Sequence, residues 1–430
     1  MNINPEFHRQ LLLECNPPRL LAIPLLLAAT FALSYLYDGH QFGSTTANIA
    51  MLLFLLMSML WGARQAVDSI IDEYREQTWD TQRLSALGAW DLAWGKLLGS
   101  TAIVWYSSTW CLIVYAVASN ALLNLPLQVF YGVITGLLIQ SASMLLGLLA
   151  GQRGQIKSSS SLLIALIGVV FVGRWLINMS SGIAFLLPVE SIDWYGLEIS
   201  GQLFQQISLL LALFWVGMGC YRLMMQALGI RTQPWVWLGF SLFLVVYVGG
   251  FIPNQTDTLA LAAFEVFSVL TYIGVIVERN EAMRIKRLLA YISQRNWRRS
   301  AEELPIWWLS LALSIPAALL LSVSEGLLLR LSAHFHFYPL AIVLLLIRDC
   351  AIYLYFSYGS KPQRALGMSV LTGVLLYGIL PGLFTASGQT WITALVFPLW
   401  ADSAIGALLF GLLQTGLILS LLYRRWQQCT

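Results

Sequence analysis

The chain has 430 residues, of which 58% are hydrophobic and 10% are charged, and its formal net charge is +3. Soluble globular domains carry about 25% charged residues, so this composition excludes a soluble enzyme and indicates an all-α polytopic membrane protein. No polar stretch is long enough for a soluble domain, so ATP hydrolysis or redox chemistry would require a partner protein.

Residues 4–16 have the pattern of a short amphipathic helix in the membrane interface, an elbow before the first span. We expect its apolar side chains to face lipid and its polar ones to face water: Phe7, Leu11 and Leu12 on one side, and Glu6, Arg9 and Gln10 on the other. Pro17 and Pro18 end this helix, because proline lacks the backbone donor and restricts the residue before it.

Membrane spans follow, since a helix of about 20 apolar residues crosses a hydrocarbon core of about 30 Å. About twelve runs are long enough: residues 20–37, 46–70, 97–119, 126–150, 159–178, 203–221, 234–251, 258–277, 306–323, 338–357, 366–386 and 402–423. No signal-peptide cleavage site follows the first run, so we expect that span to be retained. Lys and Arg concentrate in alternate connections, with Arg330 as the main exception, and this bias places both termini in the cytoplasm.

Between the second and third predicted spans lies the first charged segment, residues 72–96, which reads DEYREQTWDTQRLSALGAWDLAWGK. It mixes charges of both signs with apolar side chains at roughly helical spacing: Trp79, Leu84, Leu87, Trp90 and Trp94. The pattern predicts a short helix along the membrane surface that offers a soluble partner a place to bind.

The same order of features recurs later in the chain. Residues 221–233 form a second elbow-like stretch, two spans follow, and residues 278–303 form a second charged segment. The outer stretches around Pro188 and Pro398 also correspond, and we expect residues 178–200 to form a re-entrant or interfacial element. These spacings predict two parallel six-span repeats, residues 1–225 and 226–430.

The sequence shows no catalytic motif. His334 and His336 alternate in an outer loop without a Cys or carboxylate cluster at metal-ligand spacing. Residues 88–96 end in Gly-Lys, but Leu97 stands where a phosphate-binding loop needs Ser or Thr. We therefore expect neither a metal site nor a cofactor bound by this chain, and no nucleic-acid partner.

Charges inside spans are costly and are functional candidates by default. Three of them could line a translocation path: Arg174, Glu265 and Asp349, the last beside Arg348. The alternative is that they form structural ion pairs or hydrogen bonds inside the bundle, and the sequence leaves both readings open.

The elbow FHRQLLLECNPPRLLAIPLL, two spans, and then EYREQTWDTQRLSALGAWDLAWGKLLG resemble the permease subunits of ABC-2 type (type V exporter-like) ABC transporters. Glu73, Glu76 and Thr78 match the opening of the family's inner segment, which is acidic and then Thr. Gln77 departs from the pattern, because the family commonly has Gly there. The resemblance covers about residues 1–225 and is weak beyond them.

The resemblance implies that this chain is the permease of an ATP-driven exporter in a bacterial inner membrane. It implies coupling helices that dock on a separate ATPase, which holds ATP and Mg and is present in two copies because one chain contains both halves. The residues assigned to coupling are Glu73, Glu76, Thr78, Trp79, Arg83, Leu84, Ser85, Gly95 and Lys96, and by repeat position Arg284, Arg287, Leu288 and Tyr291. Membrane lipids are the other expected contact, and the substrate is not specified.

Two other functions fit the same sequence. A membrane-embedded enzyme of lipid or polysaccharide assembly would need polar residues on the outer face, such as Glu190, Asp193, His334, His336 and Asp402. An ion-coupled carrier would depend on Glu265 or Asp349.

Overall fold

The computed structural model describes residues 4–85, 87–119, 125–152, 191–252, 258–323 and 338–429. These residues divide into two compact units, the first comprising Met1–Ile192 and Ile199–Thr232, and the second Asp193–Glu198 and Gln233–Thr430. The predicted repeats 1–225 and 226–430 stay a prediction.

The first unit is a helical bundle. Its helices are α1 (Pro5–Glu14), α2 (Pro17–Tyr37), α3 (Ser44–Leu55), α4 (Gly62–Arg75), α5 (Trp79–Arg83), α6 (Ala89–Ser100), α7 (Ala102–Ala118), α8 (Leu125–Gln152) and α9 (Gly201–Ala227). A π-helical turn, Leu56–Trp61, joins α3 to α4, so that Ser44–Arg75 forms one continuous apolar helix. The core of this unit is formed mainly by α3, α4, α7 and α8, with Phe54 and Met59 fully buried.

The elbow forms as predicted in position but not in orientation. The Asn4 side chain accepts hydrogen bonds from the first turn of α1, and Pro5 occupies the first helical position, where its missing donor is harmless. However, Glu6 and Gln10 are buried against the protein, whereas Leu12 and Leu13 are exposed. The expectation that the polar face of α1 meets water is therefore wrong for Glu6 and Gln10.

The first charged segment is not a single surface helix. It consists of the last turn of α4, the short α5 and the first two turns of α6, with Gln77 at a φ of 56° in the turn between α4 and α5. The prediction of one short helix holds only for Trp79–Arg83. The second charged segment likewise contains two helices, Ala282–Ser293 and Trp297–Glu303.

The second unit contains the remaining helices. They are α10 (Trp235–Gly249), α11 (Thr258–Val277), α12 (Ala282–Ser293), α13 (Trp297–Glu303), α14 (Ile306–Val323), α15 (Pro339–Ser357), α16 (Ala365–Val374), α17 (Leu380–Ala386), α18 (Thr390–Val396) and α19 (Ala404–Cys429). A π-helical turn, Leu375–Ile379, joins α16 to α17, so that Pro362–Ala386 is one apolar helix.

Residues 191–200 form a β-hairpin of β1 (Ser191–Trp194) and β2 (Leu197–Ser200). Tyr195 and Gly196 make its turn with positive φ angles, which glycine adopts readily. Its tip is anchored to α10 by Trp194 and Tyr195, which donate hydrogen bonds to the carbonyl oxygens of Tyr247 and Val246. This part of the predicted re-entrant or interfacial element is thus a hairpin, while residues 178–190 lie outside the described residues.

Apart from this hairpin, the residues that the structure describes form an all-α polytopic membrane protein. Within the described ranges, nine helices are long and apolar enough to cross a membrane, or ten if Ala89–Ser100 and Ala102–Ala118, bent by 48°, form one span. Each predicted span in those ranges coincides with an apolar helix, although Trp235–Gly249 is shorter than the others. The predicted span 159–178 lies outside the described residues.

Candidate functional site

Lys96 is the centre of a buried group of charged side chains in the first unit. Its side chain, on α6, has no exposed surface. Its Nζ donates to Oε1 of Glu6 at 3.1 Å and to Oε1 of Glu73 at 2.5 Å. The same nitrogen lies 5.7 Å from the ring centroid of Trp79. A buried ammonium group requires such partners, because an unpaired buried charge is costly.

Two further donors complete what we call the charge cluster: Glu6, Arg9, Glu73, Gln82 and Lys96. Arg9 donates to Glu73 at 2.6 Å and to Glu6 at 2.8 Å, and Gln82 donates to Glu73 at 2.5 Å. Two carboxylates thus face two cations, and the cluster has no formal net charge. It fastens α1, α4, α5 and α6 to one another.

Small residues on α6 permit this contact. A Cβ atom at Gly95 would lie 2.8 Å from Cβ of Glu6, and one at Gly99 would lie 2.6 Å from Cβ of Gln10. Residues four apart share one face of a helix, so Gly95 and Gly99 form a groove that receives α1. The close approach puts the Glu6 carboxylate within reach of Lys96.

The short helix α5 is fixed at the end of α9. The Nε1 atom of Trp79 donates to the carbonyl oxygen of Ala227 at 3.0 Å, and Nε of Arg83 donates to the same oxygen at 2.8 Å. The Trp79 ring also stacks on Tyr74, with centroids 4.8 Å apart. Trp79 is 4% exposed, so it anchors the segment internally and is not available to a partner in this conformation.

The opposite side of the first charged segment is exposed. Leu84 is 88% exposed, which is unusual for a leucine. Glu76, Thr78 and Ser85 are exposed around it. The coupling residues predicted from the sequence therefore separate into two groups: the internal Glu73, Trp79, Gly95 and Lys96, and the external Glu76, Thr78, Leu84 and Ser85, with Arg83 half-exposed between them.

The surroundings of the charge cluster shift the pKa values of two of its members, Glu6 and Arg9. Burial by itself raises the pKa of Glu6, but the hydrogen bond from Arg9, the charge of Lys96 and the hydrogen bond from Gln10 outweigh it, so the pKa is lowered. The hydrogen bond to Glu6 is the largest cause of a raised pKa at Arg9. Both groups are therefore held in their charged forms.

The second charged segment is held by a different contact set. Arg284 donates to Oε1 of Glu278 at 2.5 Å and to the carbonyl oxygens of Glu303 and Leu304. Leu288 is 1% exposed, and Arg299 lies over the ring of Tyr291. Arg284 and Leu288 are thus internal, whereas Arg287 is exposed and pairs with Glu303 at 3.3 Å.

The charges predicted inside the spans occupy unlike environments. Arg348 is 1% exposed, and its Nε and Nη2 both donate to Oδ1 of Asp349. Oδ2 of Asp349 accepts from the hydroxyls of Tyr272 and Tyr377. Arg348 also donates to Gln414, whose amide reaches the carbonyl oxygens of Leu395 and Val396 on α18. Glu265 is exposed on α11, and Arg174 lies outside the described residues.

An apolar cavity of about 410 Å³ lies between α6, α8 and α9. Its lining includes Trp90 and Trp94, two of the apolar side chains that the sequence predicts to make contacts. Met144 and Phe214 form part of its wall. A cavity of this character suits a hydrocarbon chain better than a polar ligand.

Of the outer-face residues that a membrane-embedded enzyme would need, the structure describes Asp193 and Asp402. Within the described part of the chain, there is no group of three or more His, Cys, Asp or Glu side chains that could hold a metal ion. Asp193 and Asp402 are exposed, and Glu190, His334 and His336 lie outside the described residues.

Comparison of the chain with protein-family models, with curated proteins and with solved structures finds no match. The resemblance to ABC-2 permeases therefore rests on the sequence motifs quoted above.

Sequence reasoning missed Glu6, Arg9 and Gln82 as members of the site. The amphipathic pattern of residues 4–16 predicts Glu6 and Arg9 on the solvent face of the elbow, and the pattern of residues 72–96 does not distinguish Gln82 from its polar neighbours. Two signals were available: the pair Glu6 and Gln10, four residues apart on α1, and the pair Gly95 and Gly99, four residues apart on α6. Each pair defines the face of its helix that packs on the other.

Proposed function

We propose that this chain is the transmembrane permease subunit of an ATP-driven exporter of the ABC-2 type. The observation that carries the proposal is the charge cluster, which ties the short surface helix α5 to the elbow and to the ends of two spans while leaving Leu84 exposed. An exposed contact on a rigid base is what an external motor needs in order to move spans.

The proposed mechanism is mechanical. A separate ATPase, holding ATP and Mg, presses on the exposed side of residues 72–96. Because α5 is hydrogen-bonded to α4 through Gln82 and Glu73, and because Lys96 links Glu73 to α6, displacement of the segment moves the two spans and the elbow together. Such movement of rigid elements between two packed arrangements is a standard route to alternating access. The second charged segment would serve a second ATPase copy.

The distribution of Lys and Arg supports a location in a bacterial inner membrane with both termini in the cytoplasm. In this orientation both charged segments face the compartment that contains ATP.

The test is purification of the tagged chain from its native host in mild detergent, followed by identification of co-purifying proteins and an ATP hydrolysis assay. We expect a stoichiometric ATPase, lost in Leu84→Asp, because burying an introduced carboxylate in an interface is costly. The matched control is Leu197→Asp in β2, where the leucine is 63% exposed. This variant should retain the ATPase partner. A chain that is purified alone, or equal loss in both variants, would contradict the proposal.

An ion-coupled carrier is the second candidate, because Asp349 is surrounded by hydroxyl and guanidinium donors at the middle of α15. Transport that continues after the ion gradients are collapsed, and that stops when ATP is depleted, would exclude it.

A further inference from the structure

The apolar cavity between α6, α8 and α9 lies within the first unit, apart from the charge cluster. Each of the three helices contributes to its wall: Leu97 lies on α6, Leu137 on α8 and Met218 on α9. Its volume of about 410 Å³ falls in the range of about 300–1,000 Å³ that is typical of small-molecule sites. The cavity is therefore a recess between helices, large enough to take in part of a ligand.

The polar groups of the wall are few and are used inside the protein. The hydroxyl of Ser141 donates to the carbonyl oxygen of Leu138 at 3.0 Å, and the thiol of Cys220 donates to the carbonyl oxygen of Ser141 at 3.2 Å. A water molecule in a cavity needs two to four polar partners, which this wall does not offer. An empty cavity would leave its lining without dispersion contacts. The occupant that fits is an apolar one.

The cavity opens onto the lipid-facing side of α9. Four side chains along this helix are each 46–56% exposed: Leu203, Ile207, Leu210 and Phe214. Their spacing of three or four residues places them on one face of the helix. Because α9 is long and apolar enough to cross a membrane, this face meets the hydrocarbon of the bilayer. Leu210 and Phe214 also line the cavity, so its opening is continuous with a surface that lipid chains cover.

The length of the cavity matches one leaflet of a bilayer. On α9 its lining runs from Leu210 to Cys220, ten residues further along, which is about 15 Å at a rise of 1.5 Å per residue. The whole hydrocarbon core is about 30 Å thick. At the Cys220 end, the ring of Trp90 packs edge to face on Trp94 and on Tyr221. Trp and Tyr are enriched where the membrane meets water, so this end lies at the level of the lipid headgroups.

We propose that the apolar cavity holds one acyl chain of a bilayer phospholipid. The headgroup lies beside Trp90 and Tyr221, and the chain runs along Leu213 and Met218 toward the middle of the membrane. A chain in this position supplies the contacts that water cannot, and it bridges α9 to α6 and α8. Such a lipid stays with the protein, unlike lipids that only cover its outer face. The site requires neither an ATPase nor a transported substrate, so it does not depend on the proposed function.

The first test is photolabelling of the full-length chain in vesicles of phosphatidylethanolamine and phosphatidylglycerol. A small fraction of the phosphatidylethanolamine carries a diazirine in the middle of one acyl chain, and mass spectrometry locates the labelled peptides. No residue of α8 between 127 and 152 is exposed, so label on residues 137–144 reports a chain inside the cavity. We expect label there and on the exposed face of α9. Label on α9 alone would overturn the proposal.

A side chain that fills the cavity should exclude the lipid. Gly217 lines the cavity, and a Cβ atom added there has no neighbour within 4 Å. In Gly217→Leu, label on residues 137–144 should fall about tenfold or more, because the new side chain occupies the space of the acyl chain. Label on the stretch from Leu203 to Ile207 should not change.

Gly416→Leu on α19 is the matched control. Gly416 also lies in an apolar helix with open space around the added Cβ atom, but it does not line this cavity. This variant should label as the wild type does. Equal label on residues 137–144 in all three proteins, or equal loss in the two variants, would contradict the assignment.

Thermal unfolding identifies the kind of occupant. After removal of lipid in detergent, added phosphatidylglycerol should raise the unfolding temperature of the wild type and of Gly416→Leu in a saturable manner, because a ligand stabilises the state that binds it. Gly217→Leu should not respond. No rise in the wild type would overturn the proposal, and a rise with oleate but not with phospholipid would make the occupant a free fatty acid. The two wild-type measurements decide the proposal even if Gly217→Leu does not fold.

Discussion

The ammonium nitrogen of Lys96 lies 2.5 Å from Oε1 of Glu73, which connects the beginning of the third span to the end of the second. The residues are 23 positions apart in sequence, and the short helix α5 lies between them. The contact therefore closes a loop whose exposed tip is Leu84. Because the same carboxylate oxygen also accepts from Gln82 on α5, the loop cannot move without disturbing the ion pair.

Lys96→Met should destabilise the first unit strongly. Without Lys96, two buried carboxylates share the single guanidinium of Arg9, and breaking a buried pair in this way costs about 3–5 kcal/mol. Thermal unfolding in detergent, followed by tryptophan fluorescence, measures the effect. Arg64→Met is the control, since the Arg64 pair is exposed and contributes about 0–1 kcal/mol. Similar unfolding temperatures in the two variants would show that the Lys96 contacts are unimportant.

Gly95→Ala should loosen the elbow. The added Cβ would lie 2.8 Å from Cβ of Glu6 and 2.9 Å from the backbone nitrogen of Phe7, so α1 must move away, at a cost of about 1–3 kcal/mol. Protease sensitivity near residue 15 and the unfolding temperature measure this. Gly367→Ala on α16 has nothing within 4 Å of the new atom and should be neutral or stabilising by up to about 1 kcal/mol. If both variants behave alike, the helices are not in close contact at Gly95.

Acidification should remove the stabilisation that Glu6 provides. Its pKa is lowered in the folded chain from an ordinary value of 4.5. A carboxyl group whose folded pKa is lowered stabilises the fold above its unfolded pKa, and this contribution is lost as the pH falls through the folded value. The stability difference between the wild type and Glu6→Gln should therefore be full at neutral pH and shrink below about pH 4.5. A difference independent of pH would contradict the assignment.

The sequence was sufficient to place the apolar helices that the structure describes and the helix of the elbow, because both depend on local patterns. Runs of about 20 apolar residues and the Asn16-Pro17-Pro18 break act on the chain regardless of what packs against it. The sequence does not predict the hairpin at 191–200. A short apolar stretch beside Pro188 has a composition that is equally compatible with a hairpin and with an interfacial element.

The charge cluster could not be predicted in the same way. Glu6 and Lys96 are 90 positions apart, and a charged residue on an amphipathic helix normally faces water. Only the approach of α1 to the glycines of α6 reverses this, and it is a tertiary contact. The sequence assigns Glu73, Leu84 and Lys96 alike to coupling. The structure pairs Glu73 with Lys96 inside the protein, whereas Leu84 is 88% exposed.

Gln77 lies in the turn between α4 and α5, at a position where the backbone conformation favours glycine. It adopts a φ of 56°, in the left-handed region that favours glycine. Gln77→Gly should therefore be tolerated, whereas Gln77→Val should destabilise by about 1–2 kcal/mol, because a β-branched residue is strained at positive φ. The measurement is the unfolding temperature of both variants. A valine variant as stable as the glycine variant would place this turn in a different conformation.

Asp349→Asn should destabilise the second unit more than any loss of a single hydroxyl. Arg348 is buried in an apolar helix and would lose its only carboxylate among the contacts described, which costs about 3–5 kcal/mol. Tyr377→Phe removes one hydrogen bond to the same carboxylate and should cost about 1–3 kcal/mol. Glu265→Gln is the control for removing a carboxyl group from a span, because Glu265 is exposed on α11, and it should leave the unfolding temperature unchanged or raise it.

Transport measured on the same variants separates the two interpretations of Asp349, a structural ion pair and a residue of the translocation path. If Asp349→Asn, expressed at a temperature where it remains folded, transports at the wild-type rate, the residue is a structural ion-pair partner that also holds α18 through Gln414. If it folds as well as Tyr377→Phe yet transports nothing, Asp349 takes part in the translocation path.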